Sequence, residues 1–417
     1  MFLFTTLLAT LLSGVLAVPA PLIQPRDPSA RLIAGKYIVK FRDDTAEGVI
    51  GEALGGRKAD FLYKGKGFRG FAGRLDGAAL EKIRALPEVE YVEQDAEFSV
   101  DSAALLSKRF LVQQANPTWN LARISSHTLG SSVYRYDNSS GFGTCSYVID
   151  TGVLTTHPVC TAYQLEVVWQ SADGKMKKQF AGNAFWGTNT AGDGINTDSN
   201  GHGTAVAGVI AGQTYGVAKK TKIIAVKVLN ASGSGSTSGV IAGMNWVITD
   251  KATRGCPKGV GANISIGGSF STAMNNAVAA IVGQNVFVSA AAGGSNTVEN
   301  TSPASAPQAC TVASSGPSDA RSSNSNYGPA IDIFAPGERI LTAWVNGGTN
   351  TLSGTSFAAA HITGLAAYLF GLPNASQTAG NMCAYMQSIA TANVLTGVPA
   401  GTVNLLAYNG WDLFTFP

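Results

Sequence analysis

The chain has 417 residues, enough for two or three domains and for a large buried core. Only 13% of the residues are charged, and 29 Lys and Arg stand against 26 Asp and Glu. This near balance gives no electrostatic reason to expect nucleic acid or an acidic membrane as a partner.

The first 17 residues form a short apolar run that ends in Val15-Leu16-Ala17. The run is too short for a comfortable membrane span and ends in residues that suit a signal peptidase, although it lacks a basic start. We therefore predict a signal peptide at 1–17 and a Pro-rich linker at 18–33. No other apolar stretch is long enough to anchor the chain, so we expect a soluble, secreted, extracellular protein.

Residues 34–100 are predicted to form a small α+β domain. Residues 35–41 alternate as a strand, Asp76 is placed to cap a helix that stops at Pro87, and a second strand follows at 89–93. The stretch 101–114 is interpreted as a surface connection. It carries the dibasic pair Lys108-Arg109, which invites proteolytic cleavage.

From residue 115 to residue 417, apolar strands alternate with helices. Strands are predicted at 146–149, 223–228, 264–266 and 286–290. Continuous apolar strands linked by helices indicate an α/β domain with a mostly parallel central sheet and helices on both faces. In such sheets the chemistry collects beyond the carboxyl ends of the strands.

Ser356 lies in Gly354-Thr355-Ser356, directly before an apolar run with helical spacing at 357–369. Thr355 is predicted to cap that helix. The unpaired amides and the dipole of a helix N-terminus favour negative charge, which suits an oxyanion on an attacked carbonyl. Taken alone, Ser356 fits an ordinary N-cap just as well as a nucleophile.

Two further residues change that balance. Asp150 follows a predicted strand, where alone it would be a turn residue, and His202 opens a helix at 205–211, where alone it would be structural. Together, Asp150, His202 and Ser356 supply the orienting acid, the general base and the nucleophile of acyl transfer. This chain order is known for one convergent triad, and the absence of a Gly-x-Ser-x-Gly motif disfavours an α/β esterase.

Three stretches carry a resemblance to a known family: Asp150-Thr151-Gly152, Asp198 through Thr204, and Gly354 through His361. They resemble the subtilisin-like serine proteases, or subtilase family, and the surrounding sequence resembles the proteinase K-like branch of secreted fungal enzymes. The resemblance implies a serine endopeptidase with a catalytic domain at 115–417, made as a zymogen with an inhibitory propeptide domain at 34–100. We expect a monomer with protein or peptide substrates, inhibited by its own propeptide.

The resemblance also assigns the substrate-binding segments. Ser232-Gly233-Ser234-Gly235 matches the edge strand that pairs with an extended peptide. Ser265-Ile266-Gly267 and Ala291-Ala292-Gly293 match the two walls of the pocket beside the scissile bond. Their glycines imply room for a large apolar or aromatic side chain before the cut, although the same glycines also fit ordinary turns.

Five cysteines are widely spaced and form no CxxC pair, which argues against a zinc site. In an exported protein, four of them are expected to form two disulfides and to leave one thiol over. The resemblance pairs Cys145 with Cys256 and Cys310 with Cys383, and leaves Cys160 free.

The resemblance further implies a structural Ca²⁺ site formed by the carbonyls of Pro307 and Ala309 and the carboxylate of Asp332. We expect no organic cofactor. Glycosylation is predicted at four sequons, Asn138, Asn230, Asn300 and Asn374. A fifth sequon, at Asn263, is predicted to be buried.

One position departs from the family pattern. Where the family has an asparagine whose side-chain amide donates to the oxyanion, this chain has Gly294, followed by a loop one residue shorter. Loss of that donor in subtilisin lowers kcat by roughly 10²–10³-fold. Ser295, Asn296 or a trapped water are candidate substitutes, and the Ser356 backbone amide is the other donor.

The departure at Gly294 leaves two hypotheses open. The first is an active endopeptidase, in which Gly294→Asn is predicted to raise kcat. The alternative is a catalytically weakened or inactive homologue that acts as a peptide-binding protein.

Overall fold

The computed structural model describes residues 18–24, 32–65, 68–96, 110–157, 179–180, 182–294 and 297–413. The predicted signal peptide, the pair Lys108-Arg109 and Cys160 lie outside the described residues. Two compact units divide the chain, Met1–Ser102 and Ala103–Pro417. Within the described ranges, every helix is too short or too polar to cross a membrane.

In its described residues, the first unit is a five-stranded sheet with two helices. Its elements are β1 (Leu22–Ile23), β2 (Leu32–Phe41), α1 (Glu47–Leu54), β3 (Phe61–Gly65), β4 (Phe68–Arg74), α2 (Gly77–Arg84) and β5 (Val89–Ala96). The strand order is β1-β5-β2-β4-β3, and the pair β1–β5 is parallel while the others are antiparallel. Asp76 caps α2 as predicted, since its carboxylate accepts a hydrogen bond from the Ala79 amide at 2.8 Å.

The second unit contains the alternating strands and helices. Its strands are β6 (Leu111–Ala115), β7 (Val133–Asp137), β8 (Thr144–Asp150), β9 (Ala184–Asn189), β10 (Lys222–Lys227), β11 (Gly259–Ile264), β12 (Gly268–Ser269), β13 (Phe287–Ala291), β14 (Thr301–Ser302), β15 (Cys310–Ser315), β16 (Ile333–Pro336), β17 (Ile340–Ala343), β18 (Thr349–Leu352), β19 (Thr391–Ala392) and β20 (Leu405–Leu406). Its helices are α3 (Trp119–Ile124), α4 (His202–Ala211), α5 (Thr237–Asp250), α6 (Thr272–Gly283), α7 (Thr355–Gly371) and α8 (Met382–Ile389), followed by a 3₁₀ turn at Trp411–Leu413.

Nine of the described strands form the central sheet of this unit, in the order β19-β20-β16-β15-β13-β11-β8-β10-β9. Every pair in it is parallel except β19–β20. The side chains of β8 alternate between two faces: Tyr147 packs with α5 and α6, and Val148 packs with α4. Both faces are covered, so the predicted fold class is confirmed.

Both predicted disulfides are formed. Cys145–Cys256 joins β8 to the segment before β11, and Cys310–Cys383 joins β15 to α8, each with the two Cα atoms 5.6 Å apart. The strand predicted at 264–266 is displaced, because β11 ends at Ile264. Ser265 and Ile266 therefore follow the strand, at the carboxyl end of the parallel sheet, where the candidate site lies.

Candidate active site

Asp150 and His202 form the best-defined pair of the site. Asp150 is the last residue of β8 and is fully buried, while His202 is the first residue of α4. The His202 Nδ1 atom lies 2.8 Å from Asp150 Oδ1 and 3.0 Å from Oδ2. Because a carboxylate only accepts hydrogen bonds, Nδ1 carries the proton and Nε2 keeps a lone pair for a substrate-side proton.

The His202 pKa reflects two opposing effects. Burial lowers the pKa of His202, but the attraction and hydrogen bond of Asp150, with a smaller attraction from Asp198, outweigh it, so the pKa is raised above its usual value. The imidazole remains 30% exposed. It is therefore both oriented by a buried acid and open to a substrate.

Asp198 organises the loop that carries His202. One of its carboxylate oxygens accepts hydrogen bonds from the Thr151 hydroxyl and from the amides of Asn200 and Gly201, at 2.8–3.0 Å. The other accepts from the amide and hydroxyl of Thr204, at 2.9 and 2.6 Å. The sequence motif alone indicates no separate role for Asp198, although an acid before a Gly-rich turn is typical of a side chain that binds nearby amides.

Two glycines allow the Asp150 and His202 loops to interlock. A Cβ atom on Gly203 would lie 2.0 Å from the Gly152 carbonyl oxygen, and Gly152 has a φ of +106°. A side chain at either position would push the loops apart. The short Asp150–His202 distance thus depends on glycine in both motifs.

Ser356 is the second residue of α7, a helix of 17 residues. The prediction that Thr355 caps this helix is wrong: Gly354 holds the cap position, and the Thr355 hydroxyl instead accepts a hydrogen bond from the Gly293 amide at 3.0 Å. This contact ties the start of α7 to the segment that follows β13. It could not be read locally, because its partner is 62 residues away.

The start of α7 lies near His202. The ring of Phe357, the following residue, lies 5.9 Å from the imidazole of His202 between centroids. The Ser356 hydroxyl donates to the Ser265 carbonyl at 3.2 Å, and in the described part of the chain it makes no hydrogen bond to His202. Hydrogen bonds between a serine nucleophile and its base are often long or misaligned without substrate and commonly tighten only when substrate is bound.

A groove of about 720 Å³ opens beside His202. From the predicted substrate-binding segments it is lined by Gly233, Ser234, Gly235, Ser265, Ile266 and Gly267. Ser232 lies outside the lining, and its amide and hydroxyl both donate to Asn230 Oδ1, at 3.0 and 2.7 Å. Ala291 and Ala292 are buried at the end of β13, and Gly293 contacts Thr355 rather than the groove.

Gly294 occupies a position that fits glycine alone. It is exposed, and a Cβ atom built on it would lie 2.7 Å from the Asn324 carbonyl oxygen, closer than such contacts occur. An asparagine there would require the loop to move. Ser295 and Asn296, the candidate substitute donors, lie outside the described residues.

Asp332 has the kind of partly buried carboxylate that the calcium site implied by the resemblance would use, and the site itself stays a prediction. Its carboxylate accepts a hydrogen bond from the Thr311 amide at 2.7 Å, and burial raises the pKa of Asp332 above its usual value. An oxygen donor set with a partly buried carboxylate suits Ca²⁺, which would offset the cost of burying the charge. Cys310 and Cys383 lie beside Asp332 but are bonded to each other, so they offer no thiolate ligand.

The sequons differ in exposure. Asn300 and Asn374 are exposed, Asn138 and Asn230 are partly buried, and Asn263 is fully buried as predicted. Asn230 Oδ1 also accepts from the Ser234 amide at 3.1 Å, so this side chain shapes the loop beside the groove. Glycosylation at the four accessible sequons stays a prediction.

Comparisons with known proteins assign both units to protein families. The model described as the subtilase family (peptidase S8) matches residues 145–402, and the model described as peptidase inhibitor I9 matches residues 36–101. A cuticle-degrading protease of Metarhizium anisopliae is 46% identical, over 97% of this chain and 98% of its own. The subtilisin-like serine protease AsES of Sarocladium strictum and proteinase R of Parengyodontium album are each 45% identical, over 94% of this chain and 93% of theirs.

A solved structure agrees with these matches. The crystal structure of a cold adapted subtilisin-like serine proteinase is 40% identical and superposes with a TM-score of 0.62. The match covers 71% of this chain and 99% of that chain.

Proposed function

Because the chain belongs to the subtilase family and is a serine endopeptidase with an I9 inhibitor domain, we propose that Asp150, His202 and Ser356 are its catalytic triad. We propose further that it is secreted as a zymogen and inhibited by residues 34–100 until they are removed. The predicted signal peptide, the two disulfides and the accessible sequons support secretion. We also retain the expectation of a monomer.

The observation that carries the proposed triad is the Asp150–His202 pair. Its 2.8 Å contact fixes the proton on Nδ1 and leaves Nε2 as the base. In the reaction, Nε2 takes the proton of the Ser356 hydroxyl as Oγ bonds to the carbonyl carbon of the substrate. His202 then gives this proton to the leaving amine as the peptide bond breaks, and an acyl group remains on Ser356.

The second half of the reaction repeats these steps with water. Nε2 takes a proton from the water as its oxygen bonds to the acyl carbon. The proton returns to Ser356 Oγ as the ester bond breaks, which releases the acid. The proposed donors to the intermediate oxyanion are the Ser356 amide at the start of α7 and a group of the Gly294 loop.

The groove supports a preference for apolar or aromatic side chains before the cut. Its lining includes Leu229, Val240, Ile266, Phe270 and Met274. A Cβ atom built on Gly267 or on Gly268 meets nothing within 4 Å, so this wall leaves open space for a large side chain. We therefore propose broad specificity with an apolar or aromatic residue at that position.

A catalytically weakened peptide-binding homologue is the second candidate, favoured by one observation. Gly294 offers no side-chain donor, and the packing against Asn324 leaves no room for one. Labelling with a fluorophosphonate, which needs an activated serine but no peptide, separates the two. The proposed enzyme reacts at Ser356 once the propeptide is removed, and Ser356→Ala abolishes the reaction. Folded, propeptide-free protein that stays unlabelled yet retains peptides would establish the binding protein instead.

A further inference from the structure

Four polar side chains form a buried hydrogen-bonded chain beneath Ser356. Ser289 on β13, Thr363 on α7 and Asn263 on β11 are all completely buried, and Ser265 is 4% exposed. Their contacts run in sequence: Ser289 Oγ to Thr363 Oγ1 at 2.5 Å, Thr363 Oγ1 to Asn263 Oδ1 at 3.2 Å, and Asn263 Nδ2 to Ser265 Oγ at 2.7 Å. We call these four residues the buried donor chain.

The buried donor chain ends on the proposed nucleophile. Ser265 Oγ donates to the Ser356 carbonyl at 2.8 Å, and the Ser356 hydroxyl donates back to the Ser265 carbonyl at 3.2 Å. Ser265 therefore holds Ser356 at two atoms. The position of Ser265 in turn depends on the amide of Asn263.

Counting protons gives this chain a direction. The 2.5 Å contact between Ser289 and Thr363 needs one hydroxyl to donate to the other. If Thr363 donated to Ser289, its single hydroxyl proton would no longer be available to Asn263. The buried Oδ1 of Asn263 would then lack the hydrogen bond from Thr363. If Ser289 donates, each member serves the next. Ser289 then gives up its 3.0 Å contact with the Ala359 carbonyl, which already lies within the backbone ladder of α7.

We propose that Asn263 is a positioning residue for the nucleophile, held by Thr363 and Ser289 and acting through Ser265. This inference rests on the proposed role of Ser356. The donors point one way, so each hydrogen bond polarises the next, and a low-dielectric interior strengthens them. Without the buried donor chain, Ser265 is free to turn its hydroxyl away from the Ser356 carbonyl, and the first turn of α7 loses a fixed contact at Ser356.

Thr363 offers the cleanest test because it is remote from the groove and has two matched replacements. Thr363→Val keeps the shape but removes the donor to Asn263, whereas Thr363→Ser keeps the hydroxyl. The rate of Ser356 labelling by a small fluorophosphonate is measured on mature protein, well below the melting temperature. We expect about a fivefold loss for Thr363→Val, the worth of one neutral hydrogen bond, and a rate within about twofold of the parent for Thr363→Ser.

A double-mutant cycle separates positioning from stability. Ser289→Ala should slow labelling by itself. It should have no further effect in the Thr363→Val background, because the buried donor chain is already interrupted at Thr363. For a chromogenic peptide, kcat should fall with the labelling rate while KM stays unchanged. Should Thr363→Val not fold, Ser289→Ala and Ser289→Thr serve as the matched pair. Labelling should then be slower in Ser289→Ala, which lacks the hydroxyl, and close to the parent rate in Ser289→Thr, which keeps it.

The results that overturn the inference differ from those that overturn the proposed function. Equal labelling rates in all variants, equal losses in Thr363→Val and Thr363→Ser, or a change confined to the melting temperature would show a purely structural network. Failure of the unsubstituted mature protein to label at all would count against Ser356 as nucleophile.

Discussion

Acidification is predicted to destabilise the catalytic unit through His361, a buried histidine outside the proposed triad. Its Nδ1 atom donates to the Phe357 carbonyl at 2.7 Å, and its Nε2 atom accepts from the Asn120 amide nitrogen at 2.8 Å. The neutral imidazole of His361 therefore uses both of its ring nitrogens in hydrogen bonds. Protonation would set an N–H of His361 against an N–H of Asn120 and would break the link between α3 and α7.

The size of the effect follows from the pKa of His361. Burial lowers this pKa from 6.5 to about 4, although the bond to Phe357 opposes the change. Between these values the unfolded chain binds the proton and the folded chain does not. Stability is therefore complete above pH 6.5 and falls as the pH drops, by about 2 kcal/mol at pH 5 and about 3 kcal/mol below pH 4.

The assay compares two chains that cannot digest themselves. Both carry Ser356→Ala, and one also carries His361→Asn, whose amide can still donate to the Phe357 carbonyl but cannot titrate. Melting temperatures are measured by circular dichroism at pH 7.5 and pH 5 with the full chain. The loss on acidification should be roughly 3 °C larger in the chain that retains His361.

The control in this design is the pH dependence and not the absolute stability. His361→Asn loses the contact with Asn120 at every pH, so a lower melting temperature at pH 7.5 is expected. Parallel curves for the two chains would refute the reasoning, since they would mean that His361 takes up its proton in the folded state near its usual pKa.

Three further predictions concern the site. Asp198→Asn removes a negative charge that raises the pKa of His202, so the acid limb of the kcat/KM profile should move to lower pH; an unmoved limb with intact folding would contradict this. Chelation with EDTA should lower the melting temperature of the parent more than that of Asp332→Asn, whereas equal losses would exclude Asp332 as a calcium ligand. Gly294→Asn was expected from the sequence to raise kcat, but the contact with Asn324 predicts that it also lowers stability. A kcat that rises with no loss of melting temperature would show that this loop shifts freely.

Local sequence patterns were sufficient for the fold and for the approximate place of the site. The apolar run before Asp150 predicted β8, and the carboxyl end of that strand is where His202 approaches it. The helix that follows Ser356 was also predicted, because its apolar spacing is a local property. These elements depend mainly on residues close in sequence.

Contacts between distant segments could not be predicted in this way. Thr355 has the composition of a cap, yet its hydroxyl binds Gly293 on another segment. Thr363 and Ser289 lie within apolar runs, and nothing in the sequence indicates a polar partner for either. Only the fold brings their hydroxyl oxygens to 2.5 Å from each other. At Gly294, the sequence revealed a missing side chain, but only the position of the Asn324 carbonyl reveals that there is no room for one.

The central claim is that Ser356, activated by His202, carries the acyl group. The most direct measurement mixes mature protein with an activated ester, quenches in acid within the first turnover and locates the adduct by mass spectrometry of peptides. The proposed triad predicts one acyl group per chain on the peptide that contains Ser356, and no adduct in His202→Ala on the same timescale. An adduct on another residue, or one that forms equally fast without His202, would contradict it.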